Sequence, residues 1–215
     1  MIRSVVFDLD GTLLDTAPDI LDALARAVAA TGVRMDRAFT RADIGPPVGE
    51  MVERCCGDLT AGQGERIVAA FRAGYDGSAL AGTRPFPGAA ECVARLRSRG
   101  VALHVATNKP ATPTKCLLSR WFPGAFADSV SVDSVPERRL TKEQMLGELA
   151  RRHGLAPEAS VMVGDGASDL RAGRALGWRT VAVLYGYGDA TSLRAEAPDW
   201  AIRALAELPP LLEAA

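Results

Sequence analysis

Lysine, histidine and cysteine are scarce in this 215-residue chain, and each scarcity narrows what it can do. The two histidines sit in bland settings, His104 within the apolar run Val101 to Val105 and His153 just before Gly154, so histidine chemistry is not expected. The four cysteines lack C-x-x-C spacing, and adjacent residues such as Cys55 and Cys56 rarely serve one zinc ion, so reduced, mostly buried thiols are expected. A net charge of -1 gives no electrostatic drive toward nucleic acid, which would favour a basic face. No apolar run approaches the ~20 residues that a membrane span needs. Acidic Asp8 and Asp10 interrupt the only apolar run near the N-terminus, and no small-residue cleavage site follows. No secretory leader is expected, and the cytoplasm is the expected location.

What the chain does have begins at Ile2, where an apolar run ends in Asp8-Leu9-Asp10-Gly11-Thr12-Leu13-Leu14-Asp15-Thr16. A buried strand that stops at two carboxylates one residue apart, followed at once by a glycine turn, is built to hold something cationic or electrophilic. Further apolar runs bounded by turn signals follow at 101–106, 126–132, 160–163 and 180–184. Between them lie stretches of helical period near 88–99, 111–121, 141–153 and 167–176. Strand alternating with helix predicts an α/β, doubly wound parallel sheet, a Rossmann-like core covered on both faces.

The interval after Asp15 breaks this pattern. From Thr16 to about Gly82 there are only amphipathic helical stretches, near 17–31, 47–57 and 63–80, interrupted by Gly45-Pro46-Pro47 and Gly62. This predicts a small all-helical insert over 16–82 between two parts of the core, 1–15 and 83–215. The turn-rich re-entry from Gly82 to Gly88 would serve as a hinge. Ligands of parallel α/β sheets bind beyond the carboxyl ends of the strands, where a movable insert could close over them.

Three polar groups fall at such strand ends: Asp8 with Asp10, Thr107 with Asn108, and Asp165 with Asp169. If the three strands are neighbours, all six residues face one crevice. Taken singly each group reads as a turn or a cap; it is their coincidence that argues for a site. Carboxylates held at 4 Å repel by about 4 kcal/mol per pair at an effective dielectric of 20, so something positive must sit among them. Few carboxylates with open positions suit Mg²⁺ better than a caged Ca²⁺.

The remaining positive charge should come from a lysine, and the chain has only Lys109, Lys115 and Lys142. Thr141-Lys142-Glu143-Gln144 matches a capping box, which makes Thr141 the N-cap and Lys142 the first helical residue. A cation there opposes the helix dipole by a few tenths to about 1 kcal/mol, which an anionic pocket would offset.

In order and over nearly the whole chain, these residues resemble the four motifs of the haloacid dehalogenase-like hydrolase superfamily: Asp8-x-Asp10-Gly11-Thr12, Thr107-Asn108, Lys142 and Gly164-Asp165-Gly166-Ala167-Ser168-Asp169. The helical insert resembles that family's cap domain. Ile44-Gly45-Pro46-Pro47, Thr107-Asn108-Lys109 and Leu184-Tyr185-Gly186-Tyr187-Gly188 are similar to its phosphoglycolate phosphatase-like branch. One departure concerns the lysine. Glycolate-type enzymes usually carry it in a Lys-Pro-x-Pro run, and an ungapped comparison puts Arg139 there, so Arg139 rivals Lys142.

The resemblance implies an Mg²⁺-dependent phosphatase that hydrolyses a small phosphate monoester through an aspartyl-phosphate. Asp8 would be the nucleophile and Asp10 the general acid and base, with Lys142 neutralising the phosphoryl group. Thr107 and the amides of Leu9 and Asn108 would bind phosphate. Asp8, Asp165 and the Asp10 carbonyl would hold the metal, with Asp169 and Thr12 behind them. Asp15 and Asp19 are read as capping or surface residues, and Arg41, Arg54 and the Gly45-Pro46-Pro47 loop as weak candidates for substrate selection. The expected partner is a small phosphorylated metabolite, with no nucleic acid and no membrane, and the protein is expected to be a monomer or homodimer.

Several alternatives stand beside this reading: a phosphomutase of the β-phosphoglucomutase type, an inorganic pyrophosphatase, and a catalytically silent binding or regulatory protein. A phosphonoacetaldehyde hydrolase would need a Schiff-base lysine in the cap, and 16–82 contains no lysine. A dehalogenase has no use for an acid at Asp10, since halide leaves without a proton. A receiver-type signalling domain would be nearer 120 residues and would carry no such insert.

Overall fold

The computed structural model describes Met1–Ala214 and divides into two compact units, Met1–Asp15 with Pro85 onward, and Thr16–Arg84. The chain begins with β1 (Ser4–Phe7) and β2 (Leu14–Asp15), then passes through α1 (Ala17–Thr31), α2 (Val48–Cys56) and α3 (Gln63–Tyr75). It continues with β3 (Arg84–Pro85), α4 (Ala89–Ser98), β4 (Ala102–Thr107), α5 (Ala111–Trp121), β5 (Asp128–Ser131) and α6 (Lys142–His153). The last part holds β6 (Ser160–Gly164), α7 (Ala167–Ala175), β7 (Arg179–Val183), α8 (Ala190–Ala195), β8 (Trp200–Ile202) and α9 (Leu208–Glu213). Among the described residues no helix is long and apolar enough to cross a membrane.

In the larger unit six strands form one parallel sheet, ordered β5-β4-β1-β6-β7-β8. From β1 the chain goes first to β4 on one side and later to β6 on the other, so β1 lies at the point where the winding reverses. Right-handed crossovers then place α4 and α5 on one face and α6 and α7 on the other. The core bears this out: Val6, Ala106, Val130 and Met162, from four adjacent strands, pack with Met145, Leu146 and Leu149 of α6. Phe7, one residue along β1 and so on the opposite face, meets Phe126 edge-on at 6.3 Å. Strands buried on both faces read as continuous apolar runs, which is why the sequence shows them without alternation.

The smaller unit is helical, with α3 packed against both α1 and α2. Helix α1 starts on Pro18 in its first turn and stops at Gly32, whose φ of 68° is the left-handed conformation that ends helices. The connection from α1 to α2 is fixed by Asp43, which accepts two hydrogen bonds from the Arg37 guanidinium at 2.8 and 2.5 Å. That guanidinium holds the Asp43 carboxyl well below the usual carboxylate range. Asp19 does not cap α1. It accepts from Gly82 N–H at 2.9 Å and Thr83 O–H at 2.6 Å, tying the two ends of this unit together.

His104 lies buried in β4, and among the described residues neither of its ring nitrogens has a hydrogen-bond partner. Burial, helped by His153 4.7 Å away and opposed by Asp128, lowers its pKa to about 4. The folded value lies below the unfolded 6.5, so as pH falls the unfolded chain takes up this proton first. Stability from this residue is therefore complete above pH 6.5 and is lost down to about pH 4, by up to about 3 kcal/mol. Urea unfolding of His104→Leu at pH 7 and 4.5 should show a shallower acid decline than wild type; equal declines would exclude His104 as the source.

Candidate active site

Where β1 ends, the Asp8 N–H donates to Val163 O at 2.9 Å and holds the chain beside β6. The carbonyl of Leu9 then accepts from Leu13 and Leu14 N–H, both at 3.0 Å, so the chain turns back at once. Gly11 makes the turn possible with a φ of 83°, and a Cβ there would lie 2.1 Å from Asp165 Oδ2. The next residue locks two strand ends together. Thr12 donates its hydroxyl to Asp165 Oδ1 at 2.8 Å and accepts the Asp165 N–H at 3.1 Å.

Register puts the three polar groups level. Phe7 pairs with Val105 of β4 and with Val163 of β6, so Thr107 and Asp165 stand two residues past those partners on the strands flanking Asp8. The neighbour condition set by the sequence is met. Carboxylate oxygens of Asp8, Asp165 and Asp169 lie within 4.8 Å of one another.

Two buried lysines pair with carboxylates at these strand ends. Lys142 heads α6 beyond the capping box, in which Gln144 N–H donates to Thr141 Oγ1 at 3.3 Å and Thr141 N–H donates to Gln144 Oε1 at 3.0 Å. Its Nζ stands 2.9 Å from Asp8 Oδ1, from Asp169 Oδ1 and from the Ala106 carbonyl. Arg139 is exposed. The second lysine, Lys109, places its Nζ 3.0 and 3.2 Å from the two carboxylate oxygens of Asp10. Fully ionised, four carboxylates against two ammonium groups would carry two negatives in excess. A divalent cation with a preference for oxygen would balance that charge.

Protonation follows the same electrostatics. Burial pushes Asp8 upward against the pull of Lys142, and Asp169, Asp165 and Asp10 add to the rise. Burial also raises Asp165, to about 6, aided by Asp169 and opposed by hydrogen bonds from Tyr187 N–H and the Thr12 hydroxyl. Lys142 is lowered by burial, but Asp169 and Asp8 outweigh that and raise it overall. The carboxylates resist ionising without a cation, while the lysine stays charged.

The other candidates are placed with less elaboration. Thr107 is buried and accepts the Lys109 N–H at 3.1 Å, Leu9 is buried, and Asn108 is half-buried. Asp15 is half-buried, and its Oδ1 accepts from the Tyr187 hydroxyl at 2.8 Å. Arg54 is exposed and pairs loosely with Glu50 at 3.9 Å, as a solvated helix pair does. Cys55, Cys56 and Cys92 are buried as expected, but Cys116 is exposed, because its position on α5 faces away from the core.

Sequence reasoning missed two parts. Lys109 entered it only as one of three lysines and as part of a three-residue likeness. The loop after β7 was seen only as a likeness, yet it supports the Asp165 carboxylate: Tyr187 N–H donates to Asp165 Oδ2 at 2.8 Å and the Tyr185 hydroxyl to Thr12 O at 2.7 Å. Its glycines have a steric reason. A Cβ at Gly188 would sit 1.9 Å from the Asp165 carbonyl oxygen, and one at Gly186 would sit 2.3 Å from Asp165 Cβ. Gly188→Ala must push this loop off Asp165, with an expected loss of about 1–3 kcal/mol from overpacking and roughly 10²-fold in turnover from misplacement. Thermal melting and steady-state kinetics check this; unchanged values in both would remove the loop from the site.

Comparison with known proteins points one way. A family model described as haloacid dehalogenase-like hydrolase matches residues 2–177. The chain is 34% identical over 196 residues to the phosphoglycolate phosphatase of Mesorhizobium japonicum, covering 86% of this chain and 84% of that protein. It is 30% identical over 241 residues to the phosphoglycolate phosphatase of Escherichia coli, covering 98% and 92%. A haloacid dehalogenase-like family protein from Streptococcus pneumoniae superposes with a TM-score of 0.87 at 24% identity over 98% of both chains, a likeness of fold.

Proposed function

The chain belongs to the haloacid dehalogenase-like hydrolase family, and on that footing we propose that Asp8 attacks the phosphorus of a small, phosphoglycolate-like monoester. The enzyme is a phosphoric monoester hydrolase. One observation carries the assignment of the nucleophile: of the two carboxylates 2.9 Å from the Lys142 ammonium, Asp8 is the one open to a substrate, its side chain 15% exposed against 2% for Asp169.

A carboxylate cannot approach a phosphate dianion unless the charge between them is neutralised. Lys142 supplies one positive charge at the attacking oxygen. The oxygen donors, and the excess of carboxylates over ammonium groups, fit Mg²⁺, which the Asp8 and Asp165 carboxylates and the Asp10 main-chain carbonyl would hold. Asp169 is less suited to that role, being occupied by Lys142 Nζ at 2.9 Å and Gly166 N–H at 3.0 Å. When bound, the ion supplies Lewis-acid stabilisation of the transferring phosphoryl group.

As the ester bond breaks, Asp10 gives its proton to the leaving alkoxide and the phosphoryl group passes to Asp8. Asp10 then takes a proton from the water that cleaves the aspartyl-phosphate. The Thr107 hydroxyl and the amides of Leu9 and Asn108 orient the phosphoryl oxygens, Asp169 steadies Lys142, and Thr12 steadies Asp165 through the 2.8 Å bond. The helical unit is read as the family's cap and as the source of substrate selection.

The test is phosphate release from p-nitrophenyl phosphate and from a panel of small monoesters, with 2-phosphoglycolate first. Activity with Mg²⁺ that EDTA removes and added Mg²⁺ restores is the expected result. Indifference to EDTA sinks the metal assignment, and preference for a phosphoanhydride such as pyrophosphate sinks the substrate class.

A further inference from the structure

Only three lysines occur in the chain, and two of them are buried, each paired with carboxylates at the strand ends. Lys142 is taken by Asp8 and Asp169, and the mechanism uses it there. Lys109 has no such role. We propose that Lys109 is a positioning residue that fixes the Asp10 carboxyl group for proton transfer. The inference rests on the reading of Asp10 as the acid and base.

The geometry supports it in three ways. The Lys109 side chain is 2% exposed, and an ammonium is buried at a cost of several kcal/mol unless it is paired, so solvation does not explain its place. Its Nζ donates to Asp10 Oδ2 at 3.2 Å and stands 3.0 Å from Oδ1, a buried ion pair that limits how the carboxyl can turn. Its own backbone is anchored: Lys109 N–H donates to Thr107 Oγ1 at 3.1 Å, and its carbonyl accepts from the Thr114 hydroxyl at 3.5 Å. One short segment thus ties the phosphate-facing Thr107 to the acid that must reach the leaving oxygen. Asp10 otherwise sits on the reversal after β1, where no regular element holds its side chain.

A group acting through Asp10 matters only when the leaving group needs a proton. p-Nitrophenolate leaves as a stabilised anion, whereas the alkoxide of ethyl phosphate must be protonated. In Lys109→Met, kcat for ethyl phosphate should fall about 10²-fold or more, as lost acid catalysis does, while kcat for p-nitrophenyl phosphate stays within about fivefold. Lys109→Arg, which keeps the charge, should recover much of the ethyl phosphate rate. Should the methionine variant fail to fold, the same ratio is read in Lys109→Gln. Equal losses on both esters would reduce Lys109 to a structural residue and overturn the proposal. So would a loss confined to 2-phosphoglycolate through a raised KM, since that would make Lys109 a contact for the substrate carboxylate. A wild-type enzyme that hydrolyses none of the three esters with Mg²⁺ would instead overturn the phosphatase reading beneath the proposal.

Discussion

Asp8→Asn should abolish turnover, with a fall of at least about 10⁴-fold in kcat, the scale seen when a covalent nucleophile is removed. An amide oxygen at the same position is neutral and cannot carry the phosphoryl group. On the proposed mechanism, acid catalysis by Asp10 and phosphate binding by Thr107 would then have nothing to act with. The fold should survive, because Asp8 is buried at a cost and Lys142 keeps its 2.9 Å contacts with Asp169 Oδ1 and the Ala106 carbonyl when the Asp8 charge is removed. Stopped assays with phosphate trapping, alongside a thermal melt, test both halves. A folded Asp8→Asn protein that turns over at the wild-type rate would end the assignment of the nucleophile.

Lys142→Ala should damage both stability and activity. It strips the 2.9 Å contacts from Asp8, Asp169 and the Ala106 carbonyl at one stroke. Breaking a buried charge pair from one side costs about 3–5 kcal/mol, because the partner stays buried and unpaired. For a domain of this size that is roughly a 10 °C fall in melting temperature. Turnover should fall about 10²–10³-fold from lost charge stabilisation at the phosphoryl group. Arg139→Ala, at an exposed position, should change neither measurement. Loss of activity in the arginine variant alone would reverse the choice between the two cations.

Most of the core was legible because its signals are local. The strand expected over 160–163 spans Ser160–Gly164, and the helix expected over 111–121 spans Ala111–Trp121. Buried parallel strands are runs of apolar residues, and helices repeat every 3.6 residues, so each declares itself within a short window. Trp200–Ile202 and Ala190–Ala195 escaped notice because three residues at a sheet edge and a helix of six are too short to show a period. Asp19 was misread for a related reason: it stands in the first turn of a helix, where acids favour the dipole, but its partners lie 63 and 64 residues away.

The sequence by itself determined the alternation of strands and helices, the helical interruption after Asp15, and the carboxylates waiting at the ends of apolar runs. Those follow from neighbours in the chain. Only the tertiary structure decided which donor answers which carboxylate: Lys142 reaches Asp8 across 134 residues, Lys109 reaches Asp10 across 99, and the neutral Tyr187 amide reaches Asp165 across 22. No periodicity encodes such pairs. They are set by strand order and register, which bring chain ends of β1, β4 and β6 side by side, and charge then selects among the groups placed within reach.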